Sequence, residues 1–74
     1  MFRISEDKER ICEALLPVLQ LTINLHDLVD LEYVVDGNGM EKVIATFEHG
    51  IQKTANVNMD SGTSMIRDII GQIV

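Results

Sequence analysis

An α+β fold in the order α-β-β-β-α is the class this sequence predicts, on three observations. An apolar stripe at helical spacing runs through the opening segment. β-rich runs broken at Asp36-Gly37-Asn38-Gly39 and at His49-Gly50 fill the middle. A second helical stripe, opened by a cluster of capping residues, closes the chain. No linker, repeat or low-complexity tract divides the 74 residues, so 1–74 reads as a single domain. That length is near the lower limit for folding alone, where only about 60% of the unfolded surface becomes buried.

The first helix is expected to start at Ser5, a capping residue, with Glu6 and Asp7 beside the positive end of the dipole. Ile11, Leu15, Val18 and Leu19, with Ala14 beside them, recur at i, i+4, i+7 and i+8 and should face the core, while Glu9, Arg10 and Glu13 fall outside that stripe. Pro17 lacks the N–H that a helix interior uses and its ring crowds the carbonyl of Glu13, so a kink or break is expected near Leu16. From Leu19 to His26 apolar and polar residues alternate as in a strand, yet Leu15, Leu19 and Ile23 also extend the helical stripe. Both readings stand, and the helix is carried to about residue 24.

Strands are expected over Leu31 to Val35, Met40 to Glu48 and Ile51 to Met59, joined by the two turns into an antiparallel meander. Period-2 counting puts Leu31, Tyr33, Val35, Val43, Ala45, Phe47, Ala55, Val57 and Met59 on the face that meets the helices. The other face takes Glu32, Val34 and Asp36, then Lys42, Ile44, Thr46 and Glu48, then Gln52, Thr54, Asn56 and Asn58. It is polar except for Val34 and Ile44. The last helix follows Asp60-Ser61-Gly62-Thr63-Ser64 and carries Met65, Ile66, Ile69, Ile70, Ile73 and Val74 at helical spacing, with Arg67, Asp68 and Gln72 outside. Its interior Gly71 costs about 1 kcal/mol against Ala, so packing must stabilise it. Both helices are expected on one face of the sheet.

Twelve Asp and Glu stand against six Lys and Arg, a net charge of −6, and all the acids except Asp60 and Asp68 precede Gly50. The cations are scattered among carboxylates, which argues against direct binding of nucleic-acid phosphates. The acids are read first as a solvated surface and second as a face that meets basic partners. Cys12 is the single cysteine, so no internal disulfide can form, and self-association is the expected staple for so small a core. No charged segment followed by an apolar one opens the chain, and no apolar run approaches the roughly 20 residues of a membrane span. A reducing, cytoplasmic setting without membrane contact is expected.

The candidate chemistry is sparse. Asp60-Ser61-Gly62-Thr63-Ser64 resembles the Asp-Ser/Thr-Gly-Thr-Ser signature of aspartic proteases, and Ile69-Ile70-Gly71 resembles their apolar-apolar-Gly element. That resemblance implies a dimeric enzyme in which Asp60 shares a proton with its symmetry mate. In the retroviral enzymes a flap-bearing sheet separates the two elements, whereas here they nearly adjoin, and Asn58 stands where an apolar residue belongs. A helix cap is the favoured reading of Asp60. The same stretch, Ser61, Gly62, Thr63 and Ser64, offers amides and hydroxyls to an anion, although no Lys or Arg adjoins it. A homodimer binding a small ligand there is the alternative function. His26, Asp27, Asp30 and His49 lack metal-ligand spacing, Cys12 reads as a small hydrophobe, and Met40, Met59 and Met65 as filler. No catalytic set, metal site or cofactor is called for.

Leu31-Glu32-Tyr33-Val34, Gly39 with Glu41 and Val43, Phe47-Glu48-His49-Gly50, Val57, and Asp60-Ser61-Gly62 leading into Met65-Ile66-Arg67-Asp68-Ile69-Ile70 together resemble short, uncharacterised proteins encoded in phages and prophages of Gram-positive bacteria. The resemblance implies a genomic setting and supplies no site residues. The function expected is a small, non-enzymatic interaction module, a phage accessory protein that docks on a host or defence protein and inhibits it. The partner would be a protein, basic or nucleic-acid-binding, whose phosphate channel the carboxylates could occupy. The expected surface is Glu32, Val34, Asp36, Ile44 and Glu48.

Overall fold

A computed structural model describes residues 4–22, 25–58 and 62–73. The order is α1 (Ile4–Leu19), β1 (Leu28–Val35), β2 (Glu41–Phe47), a 3₁₀ turn (Glu48–Gly50), β3 (Gln52–Asn56) and α2 (Gly62–Ile73). The strands form one antiparallel sheet in the order β1-β2-β3. This is the predicted α-β-β-β-α meander. Residues of both helices join one core with the inner face of the sheet: Cys12 and Leu19 from α1, Met65, Ile69 and Ile73 from α2, and Leu31, Val43, Ala45, Phe47 and Ala55 between them.

Helix α1 departs from the expected stripe. Its buried positions are Lys8, Cys12 and Leu19, with Leu15 and Leu16 partly buried, while Val18 is 57% exposed and Ala14 lies in solvent. The helix is therefore turned by about one residue, and Lys8 and Cys12 complete an i, i+4 face that hydropathy alone does not mark. It begins at Ile4, one residue ahead of Ser5, and stays helical through Pro17. Pro17 acts on the end instead: helix stops two residues later, at Leu19, not near residue 24. Residues 20–22 and 25–27 are turns, neither helix nor strand, and Ile23 lies outside the described residues. The Thr22 hydroxyl donates to Leu19 O at 2.8 Å, and Gln20 Nε2 donates to Leu28 O at 2.8 Å, tying the helix end to the start of β1.

Strand β1 starts three residues before the expected Leu31 because of a bulge. Leu28 pairs with Phe47 and Asp30 with Thr46, so an extra residue enters β1 between them. That extra residue lets Leu28 and Leu31, at odd separation, both turn inward and become buried. Of the predicted inner face, Leu31, Val43, Ala45, Phe47, Ala55 and Val57 are buried and Tyr33 is half-buried. Val35, at the hairpin end, is 52% exposed, and Met59 lies outside the described residues.

The first hairpin is organised by Asp36, whose N–H donates to Met40 O while its Oδ1 accepts from the amides of Asn38 and Met40 at 2.8 and 3.0 Å. Gly39 takes φ +79° there, a left-handed position that a Cβ disfavours. In the second hairpin His49 has φ 71° and is followed by Gly50 at φ 79°; His is among the side chains that tolerate this region. Helix α2 buries Met65, Ile69 and Ile73, leaves Ile70 at the surface, and has Ile66 between; Val74 lies outside the described residues.

Candidate functional site

With both helices on one side, the outer face of the sheet is a three-by-three grid set by the strand register. Val34, Lys42 and Asn56 form one row, Glu32, Ile44 and Thr54 the next, and Asp30, Thr46 and Gln52 the third. Val34 and Ile44 are diagonal neighbours, roughly 7 Å apart in such a ladder, and both are half-buried. No described element covers this face. An apolar pair framed by Glu32, Asp30 and Lys42 is a small docking surface with charges of both signs at its rim.

The structure divides the predicted surface residues. Glu32, Val34 and Ile44 come together in the grid. Asp36 is occupied with its turn: the amides of Met40 and Asn38, with Lys42 Nζ 3.3 Å from Oδ2, hold its carboxyl below the ordinary carboxylate range. Glu48 lies at the opposite end of β2, roughly 20 Å from the Asp36 turn at the usual rise per residue, exposed in the 3₁₀ turn with its N–H donating to Asp27 O. One surface patch therefore cannot gather all five.

Sequence reasoning missed Lys8 and Glu41. Lys8 is 5% exposed, and its Nζ forms an ion pair with Glu41 Oε1. The same carboxylate oxygen accepts from the Tyr33 hydroxyl at 2.6 Å, and Nζ lies 5.9 Å from the Tyr33 ring centroid. Among the described residues every buried side-chain nitrogen and oxygen has a partner, so the network joins α1, β1 and β2 without an orphaned charge. The available signal was Lys8 lying four residues before Cys12 on one helix face.

Gly62, Thr63 and Ser64 lie exposed at the start of α2, and Ser61 and Asp60 lie outside the described residues, as does the side chain of Ser5. Among the described residues no three His, Cys, Asp or Glu side chains come together as a metal set. Cys12 is a buried free thiol; burial first, then the charges of Asp30, Glu13 and Glu9, push it up to about 11. At neutral pH it stays protonated and is a poor nucleophile. No described helix is long and apolar enough to cross a membrane. No protein-family model, curated protein or solved structure matches the chain.

Proposed function

We propose that this protein is a non-enzymatic interaction module that docks on another protein through the outer face of its sheet. The observation that carries the reading is the Val34 and Ile44 pair, half-buried on a face that no described element covers. A small apolar centre with a charged rim has the composition of a protein contact: the centre supplies burial, the rim supplies orientation and association rate. The excess of twelve acids over six bases favours a basic partner. The phage resemblance extends the reading to an accessory protein that inhibits a host or defence protein by covering its basic surface.

The test compares three proteins against a captured partner: wild type, Val34→Lys/Ile44→Lys, and Glu32→Gln/Asp30→Gln. The lysine pair should abolish binding while far-UV circular dichroism stays unchanged. The Gln pair should slow association at low salt and converge with wild type at high salt, where the Debye length falls to a few ångströms. Full binding by the lysine variant would overturn the reading.

A further inference from the structure

Helix α1 and strand β1 leave a cleft of about 220 Å³ between them, lined by Glu9, Cys12 and Glu13 from the helix and Leu31, Glu32 and Tyr33 from the strand. Strand β1 is an outer strand of the sheet, so among the described residues one side of it lacks a strand neighbour. Which of its backbone groups face that side follows from the ladder. Asp36 N–H donates to Met40 O, and Val57 N–H donates to Glu41 O. Antiparallel bonding alternates, so Lys42, Ile44 and Thr46 bond toward β1, while Glu41, Val43 and Ala45 bond toward β3. On β1 the bonded residues are then Glu32 and Val34. The N–H and C=O of Leu31 and Val35 turn away from the sheet, and no backbone group among the described residues pairs with them. Such an edge is a template for another strand.

The charged side chains that line this cleft, Glu9, Glu13 and Glu32, are all carboxylates. Glu9 and Glu13 stand one helical turn apart, an i, i+4 like-charge pair that destabilises an isolated helix. The fields of Glu9, Glu13 and Asp30 converge on the cleft floor, where they act on the Cys12 thiol. Lys8, on the same helix, is committed to Glu41. The floor itself is apolar, with Cys12 and Leu31 buried. An aliphatic stem ending in a cation fits this arrangement, because the stem covers the floor while the charge meets the carboxylates.

We infer that the β1 edge accepts an extended, lysine- or arginine-bearing segment of a partner protein as a fourth strand. Main-chain bonds to Leu31 and Val35 hold the segment, and Glu9, Glu13 and Glu32 pair with its basic side chains. A second copy of this chain would bring like charge to the same carboxylates, whereas a basic segment neutralises them. The inference rests on reading the chain as a docking module, and it names the chemistry of the partner.

The test uses the full chain and three short peptides: one alternating Lys and Val, one alternating Glu and Val, and the Lys peptide N-methylated at every second amide. Binding is followed by fluorescence anisotropy, and amide hydrogen exchange is read by NMR. The Lys peptide should bind and slow exchange at Leu31 and Val35, and the Glu peptide should not bind. N-methylation should weaken binding about ten-fold or more, since it removes main-chain donors while keeping every charge. Glu9→Gln/Glu13→Gln should weaken it by a similar factor of about ten, with circular dichroism unchanged. Equal affinity of the N-methylated and parent peptides, or unchanged exchange at Leu31 and Val35, would overturn strand addition. If the Lys peptide fails to bind while Val34→Lys/Ile44→Lys still abolishes partner capture, this inference falls alone. If the peptide binds while those lysines leave capture intact, the outer-face reading falls alone.

Discussion

Lys8 places an ammonium in a buried position, and its removal should expose what the Glu41 pair contributes. Breaking a buried pair from one side strands the remaining charge, so Lys8→Ala should cost about 3 kcal/mol by chemical denaturation. Replacing both partners with apolar residues, as in Lys8→Met/Glu41→Leu, should recover most of that loss. Tyr33→Phe removes one donor to the carboxylate and should cost about 1 kcal/mol. Asp36 is the second residue whose charge is structural. Because its folded pKa lies below the unfolded value, its contribution is present at neutral pH and is lost as the pH falls through the folded value. An NMR titration should give Asp36 a midpoint below the ordinary carboxylate range, with the Asn38 and Met40 amides following the same curve. Asp36→Asn keeps an acceptor for those amides and should remove this acid dependence of the hairpin.

At the level of elements, the β1 bulge is the device that sets the pairing of the first two strands. Deleting Val29 should close the bulge and set Leu28 and Leu31 two positions apart, so that strict alternation keeps both in the core. Thermal unfolding should therefore change little, and a loss of about 2 kcal/mol or more, the cost of exposing a buried Leu, would refute this account of the bulge. The bulge also explains what sequence could reveal. The turns at Asp36 to Gly39 and at His49-Gly50 announce themselves locally, and so do the alternating runs beside them, so the meander and its two faces were legible. Leu28 was not, because an inserted residue breaks the period that identifies a strand. The α1 face was misread by about one position because Lys8 and Cys12 do not count as apolar, although one is satisfied by Glu41 and the other is a compact thiol. Of the candidate surface, Glu32, Val34 and Ile44 followed from period-2 counting. The cleft between α1 and β1 did not, since it exists only once the helix has docked.

Over the whole molecule, four exposed apolar side chains gather at one end, while Val35 lies at the hairpin end and Ile70 on α2. Gln20 ties the end of α1 to Leu28, and Leu28 pairs with Phe47 beside the second turn. Val18, Leu21, Val29 and Ile51, all exposed and Leu21 at 86%, therefore share the end opposite the Asp36 hairpin. Self-association is the expectation for so small a core, and of the α2 stripe Met65, Ile69 and Ile73 are consumed by the chain's own core. We propose the Leu21 end as the contact between copies. Sedimentation equilibrium at micromolar concentration should give twice the chain mass, and Leu21→Lys should return the monomer. A wild-type monomer throughout that range would refute the contact.

The far edge of the sheet behaves differently from β1. Gln72 of α2 lays its amide against Asn56, Nε2 donating to the backbone O at 3.0 Å while Oε1 accepts from the backbone N–H at 2.8 Å. Lys53, on the helix side of β3, reaches Ile73 O at 3.3 Å. A side-chain amide thus stands in for part of a missing strand, and a short edge with an inward lysine resists further pairing. In the vocabulary of polymer chemistry the two edges differ in functionality: β1 is open at Leu31 and Val35, whereas β3 is blocked at Asn56. A unit whose two ends differ in this way favours termination over propagation, so assembly through strand edges should add a partner at β1 before β3.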